Sequence, residues 1–281
     1  MTEQQSADAY CYALATRHYE NFTVASAFVR GRLRTDLRRF YAFCRTTDDF
    51  GDESGSRESA LARLARWRDE VAAFFGGASP VHPVLIALRE TVNHYGLGAA
   101  PFLDLIAANE QDQRVSTYAN WPELHAYCML SASPVGRVVL RFFGLESPAA
   151  VALSDDVCIG LQLANHAQDV RRDAALGRRY LLDEDLAAGD TATAVRALCT
   201  RAREMLASGQ ALEAMAPGAL RLQLSLYRLG GLAICDAIER LGFRTDLRRP
   251  EVSKRVKAAL GVRALFESLR PGWTVRDAAS A

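Results

Sequence analysis

Apolar residues recur at spacings of three and four along almost the whole chain, β-branched runs are scarce, and alanine, leucine and arginine dominate. A period near 3.6 gathers such residues on one face of a helix, whereas a strand needs alternation at every second residue. The fold class this predicts is all-α. With 49% apolar residues over 281 positions a sizeable core can be buried. No repeat, low-complexity tract or long linker divides the chain, so one domain over 1–281 is expected, with its core at about 10–270.

A formal net charge of +1 gives no electrostatic case for nucleic-acid binding. Six cysteines stand singly on helical patterns with no CxxC pair, as reduced core residues do. The start, MTEQQSADAY, lacks the basic and apolar regions of a signal peptide, and no apolar run approaches the roughly 20 residues that span a bilayer. A cytoplasmic protein, at most peripheral to the inner membrane face, is expected.

Capping residues mark the helices. The first is expected over about Ala7 to Tyr19, and Thr35 is a candidate N-cap for the next. Arg57 to Phe75 reads as a helix stopped by Gly76-Gly77, Pro80 and Pro83 open one through Tyr95, and Pro101 starts one to about Asp112. From Trp121 to Gly144 the pattern contains Pro134, which should kink a helix near Leu130 to Ser131. The small residues Ser131, Ala132, Ser133 and Gly136 beside it either make room for a bulky ligand or allow close helix packing. Ser147-Pro148 begins a long helix expected to reach Leu176. Three more follow, at about Thr191 to Ser208, Pro217 to Leu241 and Pro250 to Leu269. The last is basic, and its two readings are a solvated face and contact with an anionic membrane surface.

Two polar stripes interrupt this apolar scheme. In YAFCRTTDDFGDE, helical spacing puts Tyr41, Arg45, Asp48 and Asp52 on one face with Asp49 beside it. Carboxylates one turn apart lie on the order of 6 Å apart along the axis, a spacing suited to Mg²⁺ held by one or two carboxylates, water and phosphate oxygens. A capped acidic helix end is the other reading, and the motif alone leaves both open. LQLANHAQDVRRDAALGRRYLL then places Gln162, Asn165, Asp169 and Asp173 at offsets of zero, three, seven and eleven, with Arg178 following. Two such stripes, each with an arginine, favour a metal-diphosphate site over structural charge.

With both stripes and SPVG in the middle helix, the chain resembles the squalene and phytoene synthase family from about Tyr10 to Leu269. That resemblance implies a single-domain isoprenoid-synthase helical bundle with a central apolar cavity. It implies Mg²⁺, with Mn²⁺ as a substitute, at Asp48, Asp49, Asp52, Asp169 and Asp173. The diphosphate-binding and pocket residues it implies are Tyr41, Arg45, Gln162, Asn165, Arg178 and Tyr180, with Phe22 as a cavity aromatic. HYENF (His18 to Phe22), SASPVGR and the Gln168-Asp169 pair look most like the bacterial hydroxysqualene synthase branch.

The reaction so implied turns presqualene diphosphate into hydroxysqualene and diphosphate without NADPH. It also implies functional links to a presqualene diphosphate synthase and to an enzyme that reduces hydroxysqualene. Many family members have arginine where this chain has Gln168 and glutamate where it has Arg172, so one diphosphate contact is expected to be weaker here. The alternatives are a head-to-head condensing synthase (presqualene diphosphate, dehydrosqualene or phytoene) and a non-catalytic assembly protein of the same fold.

Overall fold

The computed structural model describes residues 2–17 and 29–269. Its described residues are helical, with no strand among them and one isolated bridge between Tyr118 and Leu182. The helices are α1 (Glu3–Arg17), α2 (Arg32–Asp52), α3 (Arg57–Phe75), α4 (Pro83–Tyr95), α5 (Ala100–Asp112), α6 (Trp121–Ser131) and α7 (Ser133–Phe142). They continue with α8 (Pro148–Gln168), α9 (Val170–Ala175), α10 (Asp183–Ala187), α11 (Thr191–Met215), α12 (Gly218–Arg240) and α13 (Lys254–Leu269). They form two compact units, one of Met1–Arg114 with Arg137–Gly144, the other of Val115–Gly136 with Leu145–Ala281.

In the first unit, α2 supplies an aromatic core. Phe43 stacks on Trp67 of α3 at 5.5 Å and meets Phe102 of α5 edge-on at 4.9 Å, while Phe40 touches the same Phe102 at 5.8 Å. The Trp67 indole donates to Thr47 Oγ1 at 3.0 Å, so its polar edge is satisfied in the core. One turn away lies a buried ion network. Arg39 reaches Asp8 of α1 at 2.7 Å, Asp36 at 3.4 Å and Glu90 of α4 at 3.0 Å. Thr91 and Tyr95 donate to Asp36 at 2.6 and 3.2 Å. Three helices thus share one guanidinium.

The second unit packs α8 against α11 and α12 through small residues. A Cβ on Gly160 would come within 3.1 Å of the Ala202 carbonyl oxygen, so glycine there lets α8 approach the α11 backbone. Gly136 of α7 presses on Ser154 and Cys158 of α8 in the same way. This assigns Gly136 to close helix packing rather than to space for a ligand. Arg228 of α12 is bound by Glu213 at 2.6 Å and Glu267 of α13 at 2.8 Å, which ties the last three long helices together.

Several boundaries differ from expectation: α1 begins at Glu3 rather than Ala7, α11 runs past Ser208 to Met215, and α13 begins at Lys254 rather than Pro250. Thr35 is not an N-cap, because α2 begins a turn earlier at Arg32, next to Gly31 with φ of 63°. Arg32 bonds the Glu90 carbonyl and Asp36, and Arg34 bonds the Val29 carbonyl, and these contacts hold that first turn. The kink at Pro134 is a full break at Ala132, which leaves Pro134 in the first turn of α7 where its missing N–H costs nothing. The long helix expected to reach Leu176 stops at Gln168, and Asp169 separates it from α9.

Arg39→Met should lower the unfolding free energy by about 3–5 kcal/mol, because it strands a buried carboxylate. Urea titration measures this, and a loss below about 1 kcal/mol would show that the Thr91 and Tyr95 hydroxyls suffice for Asp36.

Candidate active site

The last three turns of α2 carry the first stripe. Its apolar side is held by the Phe40 and Phe43 contacts, which turns Arg45, Asp48, Asp49 and Asp52 the other way. Asp48 and Asp52 are exposed, while Tyr41, Arg45 and Asp49 are half-buried. Arg45 pairs with Asp49 at 2.5 Å and with Glu53 at 3.1 Å. The Asn109 amide of α5 donates to Asp48 at 3.2 Å. Gly51 makes that approach possible, since a Cβ there would lie 2.8 Å from Asn109 Oδ1, and its carbonyl accepts from Gln113 at 3.2 Å. Desolvation by the surrounding protein raises the Asp48 carboxyl, the Asn109 hydrogen bond and Arg45 oppose that rise and Asp52 adds to it, while the solvent that reaches this exposed side chain screens the effect. This carboxylate gains by having a cation brought to it.

The second stripe follows the end of α8. Gln162, Asn165, Asp169 and Asp173 are all half-buried. Although the helix breaks at Asp169, the Asp173 N–H still bonds the Asp169 carbonyl at 2.9 Å, so the one-turn relation survives. The chain then folds back. Arg178 N–H donates to the Asp173 carbonyl at 2.9 Å, Arg179 N–H to Ser116 at 2.8 Å, and Asp183 N–H to Tyr118 at 3.0 Å. This return brings Arg178 and the buried Tyr180 to the same place as Asp173. A cavity of about 470 Å³ opens there, lined by Ser116, Thr117, His166, Asp173, Arg178 and Tyr180, among others.

Several residues at these sites escaped the sequence reading. His166, one turn after Gln162, stacks on Tyr180 at 3.6 Å, and Tyr180 stacks on Tyr118 at 5.8 Å. Burial lowers its pKa to about 3, so it is neutral near pH 7. The Gln162 amide nitrogen lies 3.2 Å from His166 Nε2, which assigns the ring proton to Nδ1. Its spacing was visible, but its burial was not. Arg249 is the second omission: it pairs with Asp169 and donates to Gln168 at 3.2 Å. Gln168 is buried and donates to the Pro250 carbonyl at 2.8 Å, a role in holding the chain that the resemblance did not suggest. Arg172 is exposed, and Phe22 lies outside the described residues.

Among the described residues no three His, Cys, Asp or Glu side chains converge as a closed metal cage. Each stripe offers hard oxygen donors in an open arrangement. Such donors are of the kind that Mg²⁺ takes, an ion that keeps waters and completes its shell with substrate phosphates.

The family model for squalene/phytoene synthase matches residues 15–256. The chain belongs to the squalene/phytoene synthase family. A hydroxysqualene synthase from Zymomonas mobilis is 34% identical over 226 residues, 79% of this chain and 73% of that one. A presqualene diphosphate synthase from Rhodopseudomonas palustris is 38% identical over 162 residues, 57% of either chain. A solved squalene synthase, HpnC, from Alicyclobacillus acidocaldarius superposes with a TM-score of 0.80 at 40% identity, covering 86% of this chain and 96% of that one. Membership in the squalene/phytoene synthase family places the chain in isoprenoid biosynthesis and accounts for its all-α fold.

The raised Asp48 pKa sets a sign. Above pH 7 the folded state carries a charge it disfavours, whereas below about pH 4 Asp48 is protonated in folded and unfolded chains alike. Asp48→Asn should therefore raise the melting temperature slightly at pH 8, because solvent screens this exposed carboxyl, with a gain that fades between pH 7 and 4. Calorimetry across this range checks it, and an equal gain at pH 4 would exclude the charge as its cause.

Proposed function

We propose that this chain ionises presqualene diphosphate and captures the resulting cation with water, giving hydroxysqualene and diphosphate. One observation carries the reading: carboxylates and guanidinium groups occur together on both stripes, Asp48, Asp49 and Asp52 with Arg45, and Asp173 with Arg178 at one cavity. The likeness to the Zymomonas hydroxysqualene synthase supports the choice of substrate.

In this reading each carboxylate set serves diphosphate binding, and Arg45 at the first stripe and Arg178 at the second would bind phosphate oxygens by charge-assisted hydrogen bonds. Mg²⁺, or Mn²⁺ in its place, would be held by Asp48, Asp49, Asp52, Asp169 and Asp173, and when bound it supplies charge neutralisation of the leaving group. Gln162 and Asn165 orient the same headgroup. Tyr41 and Tyr180 would serve as pocket residues, and Tyr180 is held in place by stacking on Tyr118 and His166. No reductant enters this reaction. Its substrate would come from a presqualene diphosphate synthase, and its product would pass to a reducing enzyme.

A second reading rests on the likeness to the Rhodopseudomonas presqualene diphosphate synthase: condensation of two allylic diphosphates. Purified protein with Mg²⁺, incubated separately with presqualene and farnesyl diphosphate without NADPH, separates the two by mass spectrometry of the products. Hydroxysqualene from presqualene diphosphate is expected. A C30 product from farnesyl diphosphate would favour the second reading, and silence with both would favour a non-catalytic member. Asp48→Ala and Asp169→Ala should each lower turnover about a thousandfold with unchanged far-ultraviolet circular dichroism.

We also propose peripheral contact with an anionic membrane from the cytoplasmic side. Among the described residues no helix is long and apolar enough to cross a bilayer. Helix α13 buries Ala264 against Leu222 and Leu229, yet leaves Val262 57%, Leu265 49% and Phe266 68% exposed. Lys254, Arg255 and Lys257 are exposed near its start, so basic and apolar groups are presented together, as on interfacial helices. Cosedimentation with phosphatidylglycerol vesicles is expected, and Phe266→Ser should weaken it; no sedimentation of the wild-type protein would exclude the contact.

A further inference from the structure

The segment from Leu247 to Pro250 is fastened to the end of α8 and the start of α9 by bonds of three kinds. Arg171 donates to the Leu247 carbonyl at 3.1 Å. The buried Gln168 amide donates to the Pro250 carbonyl at 2.8 Å, and its oxygen accepts from Arg249 Nη2 at 3.2 Å. Arg249 Nε then pairs with Asp169 Oδ1, while Nη2 lies 3.4 Å from Asp169 Oδ2. Gln168 thus uses both ends of its amide on one strap. The result is a cation set on a half-buried carboxylate by a neutral, buried neighbour.

We infer that Arg249 is a resident counter-ion of Asp169, positioned by Gln168, and that any divalent cation binding Asp169 must first displace it. The inference rests on the metal reading of Asp169 proposed above. Two cations cannot both take the same carboxylate oxygens at contact distance without mutual repulsion, so the ion pair lowers metal affinity at this stripe. Asp169 is 17% and Arg249 47% exposed, so the arginine can leave toward water while the carboxylate stays. The strap keeps Arg249 close, and it re-forms the pair when the metal departs. The consequence is a second stripe that resists divalent metal on its own and accepts it only when further ligands, such as diphosphate oxygens, contribute.

The test is Mn²⁺ binding to the full-length, metal-free protein, read from the paramagnetic signal of free Mn²⁺, first without and then with inorganic diphosphate. Without diphosphate, Arg249→Gln should bind Mn²⁺ on the order of tenfold more tightly than wild type, the size of one partly screened charge-assisted contact. Gln168→Leu should shift affinity in the same direction, because it releases the strap while leaving the guanidinium in the chain. Adding Asp169→Asn to Arg249→Gln should cancel the gain, which places it at this carboxylate. A merely structural role for either residue would lower affinity or leave it unchanged. Equal affinity in wild type and Arg249→Gln overturns the counter-ion, and an unchanged Gln168→Leu overturns its positioning role. If wild type fails to bind Mn²⁺ even with diphosphate present, the metal reading falls and takes the inference with it.

Discussion

A carboxylate set into protein must find a cation, and where this chain places its guanidinium groups decides which acids are structural and which are available. Asp36 and Glu213 are buried, and each has a buried arginine, Arg39 and Arg228, that also reaches further acids on neighbouring helices. Such pairs are fixed, because breaking one leaves an uncompensated charge in low dielectric. The acids of the two stripes are treated differently. Asp48 accepts from a neutral amide, and Asp169 from an arginine that is half in water. Their charges are compensated only loosely, and that is the state from which a ligand cation can be bound.

Backbone approach does the complementary work. The DDFGD run contains Gly51 because α5 must come close enough for Asn109 to reach Asp48 and for Gln113 to reach the Gly51 carbonyl. In the second unit Gly160 and Gly136 let α11 and α7 approach α8, so the helix that bears Gln162 and Asn165 is clamped along its length. A site on a clamped helix keeps its spacing. The acids therefore stand at positions fixed by packing, although their own side chains contribute little to that packing.

Much of this was legible. Helix periodicity and caps located most elements, since Ser147 and Pro83 act where their local chemistry says they must. The stripes were legible because helical spacing needs no tertiary knowledge. What could not be read was tertiary: Arg249 is eighty residues from Asp169, and Asn109 sixty-one from Asp48. Local rules also failed where distant contacts outweighed them. Thr35 is an ordinary cap residue, but the Arg32 and Arg34 contacts carry the helix past it. The break at Asp169 has no glycine or proline to announce it, and it coincides with the place where the 247–250 segment is tied on.

That coincidence bears on chemistry. If α8 continued unbroken, Asp169 would be one more residue of a uniform stripe. As built, it stands at the N-cap position of α9 without a side-chain capping bond, its carbonyl accepts from the Asp173 N–H, and its side chain answers to a separate segment of chain. On the proposed reading, the protein's own donors at each stripe are too few to close a metal's coordination shell, and at Asp169 an arginine already competes for them. The remaining ligands would then come from water and from the diphosphate itself. On that reading a metal is held more tightly when there is a leaving group to neutralise. On that reading ionising power would be greatest in the substrate-bound state, where the metal neutralises the leaving group.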